Sequence, residues 1–342
     1  INYEIVMKID FVVLWVDGDD QSWIDCYNNY RKMQYPLSPN IDKFRFRDMK
    51  TFNYLFRSFE KYTPWVNKIH VVTCGHYPEW LNALHPKINL VKHSDFIPHD
   101  YLPTFNSTSI EMFLDRIPEL SEKFVYFNDD MIINKPLPID FFFQNNKPCD
   151  FFSIAPNIEK DLSSYPYGAM IHSVTTLINS KFSPRVFCKN HFNKYFNCKY
   201  GIKINLKNLN GLTWWGFVGF GLTHSAQPYL KSTFKSVWEF FYDDLKVSAK
   251  SKFREPSNLS QYLFRYYQLV NGEFSVVSPK KRFAFYNISK GNLTDVVDCL
   301  SKEDISIICL NDSEKLDDFD FIISHIKGIL NIRFPTKSSY EL

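Results

Sequence analysis

Short apolar runs, separated by stretches with helical spacing, dominate the first 130 residues of the chain. Runs of this length that are rich in Val, Ile and Phe are typical of buried strands. Four strands are predicted on this basis, at residues 10–15, 68–73, 88–92 and 124–127. Because helical patterns lie between them, the sequence predicts an α/β fold with a largely parallel sheet.

The helices of this half are indicated by apolar residues three and four positions apart and by capping residues. They are predicted at residues 20–33, 48–62 and 106–116. Asp48 is the expected N-cap of the second helix, and either Asn106 or Ser107 is the expected N-cap of the third.

After residue 150 the pattern becomes mainly helical. Helices are predicted near residues 172–182, 229–248 and 258–270. Residues 185–213 have no clear period, which indicates an inserted loop or lobe. A late strand at residues 305–310 precedes a helix at residues 318–330.

No internal repeat, low-complexity tract or linker divides the sequence. Residues 1–342 are therefore predicted to form a single catalytic unit. Within it, residues 1–150 and 300–342 would form an α/β core, and residues 151–299 would form a helical, basic lobe.

Charge is distributed unevenly, although the net charge is only +3. Residues 162–238 contain nine Lys or Arg and no Asp or Glu, with aromatic residues interleaved in their first half. A surface of one sign attracts polyanions or anionic lipid headgroups. The alternative is a solvated basic face without a partner.

Composition also bears on the compartment. Seven scattered cysteines without a CxxC pair favour reduced thiols and a cytosolic setting. No apolar run approaches the roughly 18 residues of a membrane span, and the first residues lack a signal-peptide pattern. We therefore expect a cytoplasmic protein, with peripheral contact to the inner face of the cytoplasmic membrane as one option.

Carboxylates follow three of the apolar runs, at Asp17, at Asp129 and Asp130, and at Asp312. Parallel strands end at one edge of a sheet, where α/β folds bind ligands. Convergent carboxylates repel one another unless a cation lies between them, and Mg²⁺ or Mn²⁺ prefers such oxygen ligands. A solvated turn after each strand is the alternative for any one of them.

Two further side chains are candidates for phosphate chemistry. Arg254 could hold a phosphate with its planar fork, and His224 could accept or donate a proton. Either residue alone is more often structural than functional.

In four blocks the chain resembles the Stealth family of hexose-1-phosphate transferases. The blocks lie at residues 9–18, 45–130, 224–254 and 309–341. The strongest begins with RFRD at 45–48 and ends with FNDD at 127–130, and the last begins with CLND at 309–312. Residues 185–213 lie between blocks and match nothing in the family pattern.

The resemblance implies a GT-A-like α/β core that binds a UDP-sugar and Mg²⁺ or Mn²⁺. An acceptor hydroxyl would attack the phosphorus attached to the sugar, so that UMP leaves and a phosphodiester forms. The implied acceptor is a glycan or polyanionic capsule polymer, in free or lipid-linked form, and no nucleic-acid partner is implied. Residues 162–238, which we call the acid-free stretch, are expected to bind this acceptor.

The resemblance also implies site residues. Its catalytic group comprises His224 as general base or acceptor-positioning residue, Arg254 as phosphate clamp, Asp130 and Glu111. Its metal ligands are Asp130 and Asp312. Its substrate-binding group comprises Val16, Asp17, Gly18, Arg45, Arg47, Asn106, Asn128 and Asp129. Whether His224, Asp129 or Asp130 takes the acceptor proton stays open at this point.

Two other classes remain open on the sequence alone. One is a conventional metal-dependent glycosyltransferase, which would release UDP. The other is a non-catalytic protein that binds carbohydrate or a membrane surface through the same aromatic and basic residues.

Overall fold

A computed structural model describes residues 7–36, 46–158, 165–221, 224–312 and 318–342. Its central sheet has the strand order β3-β2-β1-β4-β8. These strands are β1 (Ile9–Leu14), β2 (Ile69–Thr73), β3 (Ile88–Lys92), β4 (Lys123–Phe127) and β8 (Gln227–Leu230). The first four are parallel, and β8 pairs antiparallel with β4 at the edge. The predicted α/β class, with a mostly parallel sheet and flanking helices, is confirmed.

The central sheet separates two hydrophobic cores. Side chains of a strand alternate between faces, so Phe11 and Val13 enter one core and Val12 enters the other. The first core is closed by α2 (Phe52–Tyr62), whose buried residues include Phe56 and Phe59. Both faces of β1 are therefore dry, which explains its continuous apolar run.

A second sheet, with the order β10-β11-β5, adjoins the first. It contains β5 (Met131–Ile133), β10 (Phe283–Asn287) and β11 (Ile307–Asn311). β11 runs parallel to β10 and antiparallel to β5. Only three residues separate β4 from β5, so this Asn-Asp-Asp segment at 128–130 links the two sheets. A small third sheet contains β6 (Phe143–Gln144), β7 (Lys147–Asp150) and β9 (Ser275–Val276).

The remaining helices flank these sheets. Before residue 150 and after residue 290 they are α1 (Gln21–Gln34), α3 (His93–Phe96), α4 (Ser107–Glu111), α12 (Leu293–Ser301) and α13 (Phe319–Arg333). In the lobe they are α5 (Tyr165–Asn179), α6 (Pro184–Asn190), α7 (Phe192–Tyr195), α8 (Gly201–Gly211), α9 (Lys231–Phe240), α10 (Tyr242–Ala249) and α11 (Tyr262–Val270).

Three helix predictions are corrected by the structure. Residue 51, not Asp48, precedes α2, and Asp48 instead accepts a 2.6 Å bond from the Lys50 amide in a left-handed turn. The third helix stops at Glu111 and continues only as a 3₁₀ turn at Leu114–Arg116. The stretch predicted as one helix at 229–248 begins in β8 and is then split between α9 and α10.

Residues 185–213, which showed no period, are helical. α6 and α7 are too short for a periodic pattern to emerge, and the breaks before the 11-residue α8 interrupt the pattern across the whole stretch. Of their cations, Lys194 and Lys199 bond the backbone carbonyls of Gly272 and Val276. Part of the positive charge in this stretch is therefore used to bind its helices to β9 and to the residues just before β9.

The lobe and the sheet share one core. Val12, Phe124 and Tyr126 of the sheet belong to the same buried cluster as Phe234 of α9 and Phe264 of α11. A buried ion pair reinforces the contact, because Arg265 binds both carboxylate oxygens of Asp150, at 2.8 and 2.9 Å. The prediction of a single catalytic unit is compatible with this packing and stays a prediction.

Candidate active site

The candidate site lies at the carboxyl ends of β1 and β4, which are adjacent and parallel. The predicted nucleotide turn, Val16 to Gly18, follows β1, and Asn128 to Asp130 follow β4. The Leu310 amide of β11 donates a 2.8 Å bond to the Asp130 carbonyl, which fixes the second sheet against this edge. The strand-end rule thus brings two of the three predicted carboxylate positions to one place.

Asp129 and Asp130 occupy different environments. Oδ2 of Asp130 accepts a bond from the Cys309 thiol at 3.2 Å, whereas its buried Oδ1 has no hydrogen-bond partner among the described residues. Solvent reaches the Asp129 side chain, yet dense protein surrounds it. This desolvation, with the charge of Asp130 as a second cause, raises the pKa of Asp129 to about 7.

His224 lies beside this pair, next to β8. Its Nε2 is 3.2 Å from Nδ2 of Asn128, and its ring meets the edge of Phe285 with centroids 5.2 Å apart. One ligand atom each from Asp130, His224 and Cys309 lie within 4.8 Å of one another. Three of the predicted residues, Asn128, Asp130 and His224, are therefore brought together.

The residues fit a divalent cation at Asp130. Its Oδ1 is buried and has no hydrogen-bond partner among the described residues. A bound cation would balance the negative charge of this oxygen. The carboxylates suit Mg²⁺ or Mn²⁺, whereas the Cys309 and His224 atoms would suit a softer metal such as Zn²⁺.

Asp312 follows β11 and is held by Arg47. Arg47 donates to both carboxylate oxygens, from Nε at 2.8 Å and from Nη2 at 2.7 Å, and stacks on Phe319 at 3.9 Å. This forked pair ties the RFRD segment to the fourth block. The role of Asp312 as a metal ligand stays a prediction, and Arg45 lies outside the described residues.

Arg254 and Glu111 lie at opposite ends of α4. Nη2 of exposed Arg254 bonds the Ser107 hydroxyl at 2.7 Å. Glu111 is buried and accepts bonds from the Tyr126 hydroxyl and the Gln261 amide, both at 3.1 Å. Burial raises the pKa of Glu111 to about 7, and the charge of Arg254 is among the opposing influences.

Asn106 is committed to protein contacts. Its side chain caps α4 through the Thr108 amide, and its Nδ2 donates to Asn258 Oδ1 at 2.9 Å and to the Phe253 carbonyl at 3.3 Å. These bonds hold the loop that carries Arg254 against α4. The predicted contact of Asn106 with a sugar stays a prediction.

An aromatic cluster joins three site segments. Phe105, next to Asn106, stacks on Phe253, next to Arg254, with centroids 5.4 Å apart. Val16, in the turn after β1, and Trp23, in α1, pack in the same cluster. The turn after β1 is thereby coupled to the predicted phosphate clamp.

The turn after β1 is itself held tightly. The Asp17 amide donates to His76 Nε2 at 2.9 Å, and His76 Nδ1 lies 3.1 Å from Asp20, the N-cap of α1. Gly18 lies so close to Phe46 that an added Cβ would come within 1.8 Å of the Phe46 carbonyl oxygen. Only glycine fits this approach without displacement.

Two site residues were missed by sequence reasoning. His76 follows β2, which neighbours β1, so the strand-end rule applied to a third strand would have found it. Cys309 gave no such signal, because it lies within an apolar run and reaches Asp130 only through the pairing of β11 with β5.

Comparison with known proteins identifies the family. Conserved region 2 of the Stealth proteins matches residues 45–150. Capsular polysaccharide phosphotransferase WcwK of Streptococcus pneumoniae is 39% identical over 337 residues, which cover 98% of each chain. The chain belongs to the Stealth family. The family resemblance expected from the sequence is thus confirmed.

Other relatives of this Stealth protein align over similar lengths. Receptor polysaccharide phosphotransferase WefC of Streptococcus gordonii is 37% identical over 346 residues, covering 99% of this chain and 100% of WefC. Exopolysaccharide phosphotransferase cps2G of Lactiplantibacillus plantarum is 33% identical over 335 residues, covering 97% and 96%. These alignments extend beyond the matched region to the parts of the Stealth chain that carry His224, Arg254 and Asp312.

Solved structures of glycosyltransferases align with the Stealth chain only loosely. Galactosyltransferase LgtC, in complex with donor and acceptor sugar analogues, covers 97% of this chain and 98% of its own, with a TM-score of 0.39 and 10% identity. The bifunctional glycosyltransferase WbbM covers 98% and 53%, with a TM-score of 0.39 and 12% identity. TM-scores this low do not support any inference from those glycosyltransferases to this chain.

Among the described residues, no helix has both the length and the apolar character needed to cross a bilayer.

Proposed function

We propose that this Stealth protein transfers a sugar 1-phosphate from a UDP-sugar to a hydroxyl group of a glycan acceptor. The named activity of its relatives, phosphotransfer in capsular and exopolysaccharide synthesis, supports the reaction class. The observation that carries the proposal is the convergence of Asn128, Asp130 and His224 at the end of β4, where Asp129 is the neighbouring residue in the chain. There, carboxylates that attract a cation lie beside a proton acceptor.

The bonds that change lie at the donor phosphorus attached to the sugar. The acceptor oxygen forms a bond to this phosphorus while the bond to the UMP oxygen breaks, and UMP leaves with the electron pair. The anomeric C–O bond stays intact, and the product is a phosphodiester. The demand on the protein is therefore to position the reactants and to stabilise charge on phosphoryl oxygens.

Each role has a candidate in the chain. His224, oriented by Asn128 and Phe285, would take the acceptor proton or hold the hydroxyl for attack. Arg254 would bind the transferring phosphate. The turn at Val16 to Gly18 would receive the nucleotide, with Arg47 beside it. Glu111 and Asn106 are proposed to help hold the sugar, although in this structure both side chains are buried and bonded to protein groups.

The metal proposal concerns Mg²⁺ or Mn²⁺. Asp130 would hold the ion, with Asp312 as the second ligand and Asp129 nearby. When bound, the ion neutralises charge that develops on the phosphate oxygens. Arg47 donates one hydrogen bond to each carboxylate oxygen of Asp312. Each oxygen keeps a second lone pair that could bind the ion.

Identification of the released nucleotide tests the proposal. With a UDP-N-acetylhexosamine, Mg²⁺ and a glycan acceptor, UMP should appear in step with product, and the product should show a phosphodiester ³¹P signal. Release of UDP, with no phosphorus in the product, would show a conventional glycosyltransferase instead. Absence of any transfer across a panel of UDP-sugars and glycans would favour a binding protein.

A further inference from the structure

An exposed apolar surface lies on α8 and on the two tryptophans that follow it. Ile202, Leu206 and Leu209 recur at helical spacing and share one side of α8. Their side chains are 79%, 59% and 56% exposed, and Trp214 and Trp215 are 51% and 83% exposed. We call these five residues the docking face.

The helix under this face is firmly attached. On its opposite side Asn208 is fully buried and bonds the Ile154 amide at 2.8 Å and the Tyr195 carbonyl at 2.8 Å. Gly211 packs so closely on Ile154 that an added Cβ would come within 2.3 Å of it. The apolar side is therefore exposed although the helix is firmly packed on its other side. Exposed apolar surface of this kind is unusual and indicates an interaction site.

Positive charge borders the docking face. Lys203 and Lys207 are exposed on the same helix, next to the apolar side. Arg185 reaches the C-terminal end of α8, where its Nε donates to the Leu212 carbonyl at 3.1 Å. No acidic residue occurs between positions 162 and 238 to offset these cations.

We propose that the docking face binds the surface of a bilayer that contains anionic lipids. Leucine, isoleucine and tryptophan on one side of a helix, bordered by lysine, are the features of helices that lie in the membrane interface. A second copy of this chain would place lysine against lysine around the same face, whereas anionic headgroups complement it. A soluble polyanion would complement the lysines but would leave the apolar side chains in water.

This surface is a narrower site than the whole acid-free stretch. Lys194 and Lys199 donate to protein carbonyls away from this face, so the cations next to it are Lys203 and Lys207, with Arg185 at the C-terminal end of α8. Each lysine near an anionic surface strengthens binding by about fivefold. The proposal does not rest on the reaction proposed above, because a membrane-bound protein of any activity could use such a face.

Vesicle co-sedimentation tests the docking face without any substrate. Unaltered protein should bind vesicles of three parts phosphatidylcholine to one part phosphatidylglycerol, and should bind pure phosphatidylcholine much more weakly. The triple variant Ile202→Gln, Leu206→Gln, Leu209→Gln should bind the anionic vesicles at least about 10-fold more weakly. The double variant Lys203→Gln, Lys207→Gln should bind them roughly 25-fold more weakly, and 0.5 M salt should reproduce that loss of binding.

A matched control replaces three exposed apolar residues of the α/β core, Met33→Gln, Leu84→Gln and Ile332→Gln, and should bind vesicles like the unaltered protein. Vesicles should also shift the tryptophan emission to the blue, and the double variant Trp214→Phe, Trp215→Phe should remove that shift. The vesicle assay contains neither donor nor acceptor, so its outcome separates failure of this proposal from failure of the reaction.

Three outcomes would overturn the proposal. The first is unaltered protein that does not bind anionic vesicles. The second is a triple variant that binds them as well as the control does. The third is a dimer in light scattering that the triple variant abolishes while vesicle binding persists, which would assign the face to a second copy of the chain.

Discussion

At the residue scale, the two carboxyl groups with a pKa raised to about 7 are held in different ways. Glu111 is buried and bonded on both oxygens by protein groups, whereas Asp129 is open to solvent beside a second carboxylate. Clusters of such perturbed groups are typical of functional sites, although buried structural networks produce them too. Substitutions can separate the two cases.

Asp130 is predicted to hold the catalytic cation. Asp130→Asn should lower turnover by at least about 100-fold, because the ion that stabilises transition-state charge would be lost or misplaced. Steady-state kinetics should show this, and a chelator should abolish activity until Mg²⁺ or Mn²⁺ is restored. Asp25→Asn, an exposed carboxylate of α1, is the control and should leave turnover unchanged. Full activity in excess chelator would refute the assignment.

Glu111 should make the protein less stable as pH rises. Its pKa is raised in the folded state, so between about pH 4.5 and 7 the folded form binds a proton that the unfolded form has released. The free energy of unfolding should therefore fall by up to about 3 kcal/mol between pH 4.5 and 8 through this group. Glu111→Gln should lack this component in denaturant titrations at the two pH values, because the amide cannot ionise.

The matched control for Glu111→Gln is Glu79→Gln, an exposed carboxylate in the loop after β2. It should retain the pH dependence of the unaltered protein. If Glu111→Gln shows the same decrease in stability as this control, the carboxyl group is not the source of the pH dependence.

At the element scale, the turn between β1 and α1 depends on one close backbone approach. Gly18→Ala would place a Cβ within 1.8 Å of the Phe46 carbonyl oxygen, so either the turn or the segment that carries Arg47 must move. We expect the KM for the UDP-sugar to rise at least about 10-fold, with a smaller effect on the acceptor KM, because misplacement of positioning groups is costly in catalysis.

Gly328→Ala in α13 is the matched control, since an added Cβ there meets no atom within 4 Å. It should leave kinetics unchanged and stabilise the helix by up to about 1 kcal/mol. Equal donor KM values in the two variants would show that the turn does not bind the nucleotide.

The elements that were predictable share a physical cause. The strands β1, β2 and β4 are buried on both faces or nearly so, and their apolar runs showed this directly, whereas the edge strand β3 is only partly buried. Of the helices in residues 185–213, α6 and α7 were not predictable, because each is only one or two turns long and tertiary packing fixes it. In the site, Asp17 and Asp129 followed from strand ends, whereas the Arg47–Asp312 pair joins residues 265 positions apart and needs the assembled fold.

At the scale of the whole molecule, the sheet and the lobe hold the site between them. His224 and Arg254 come from the lobe, and Asp129 and Asp130 come from the sheet. The relative position of these groups depends on the core that the two parts share and on the buried Asp150–Arg265 pair. A lobe that loosened would separate His224 from the carboxylates, so activity and global stability should be linked.

Arg265→Met is expected to destabilise the whole molecule. It leaves the Asp150 carboxylate buried without its cation, which should cost roughly 3–5 kcal/mol, whereas Lys302→Met at an exposed ion pair should leave stability nearly unchanged. Because one core spans both parts, tryptophan fluorescence and far-ultraviolet circular dichroism should give a single coincident unfolding transition in both variants. Adding Asp150→Leu to Arg265→Met should recover part of the loss, since it removes the unpaired charge. Two separate transitions in Arg265→Met would instead mean that the lobe unfolds independently of the sheet, and the single cooperative unit inferred from the shared core would then be wrong.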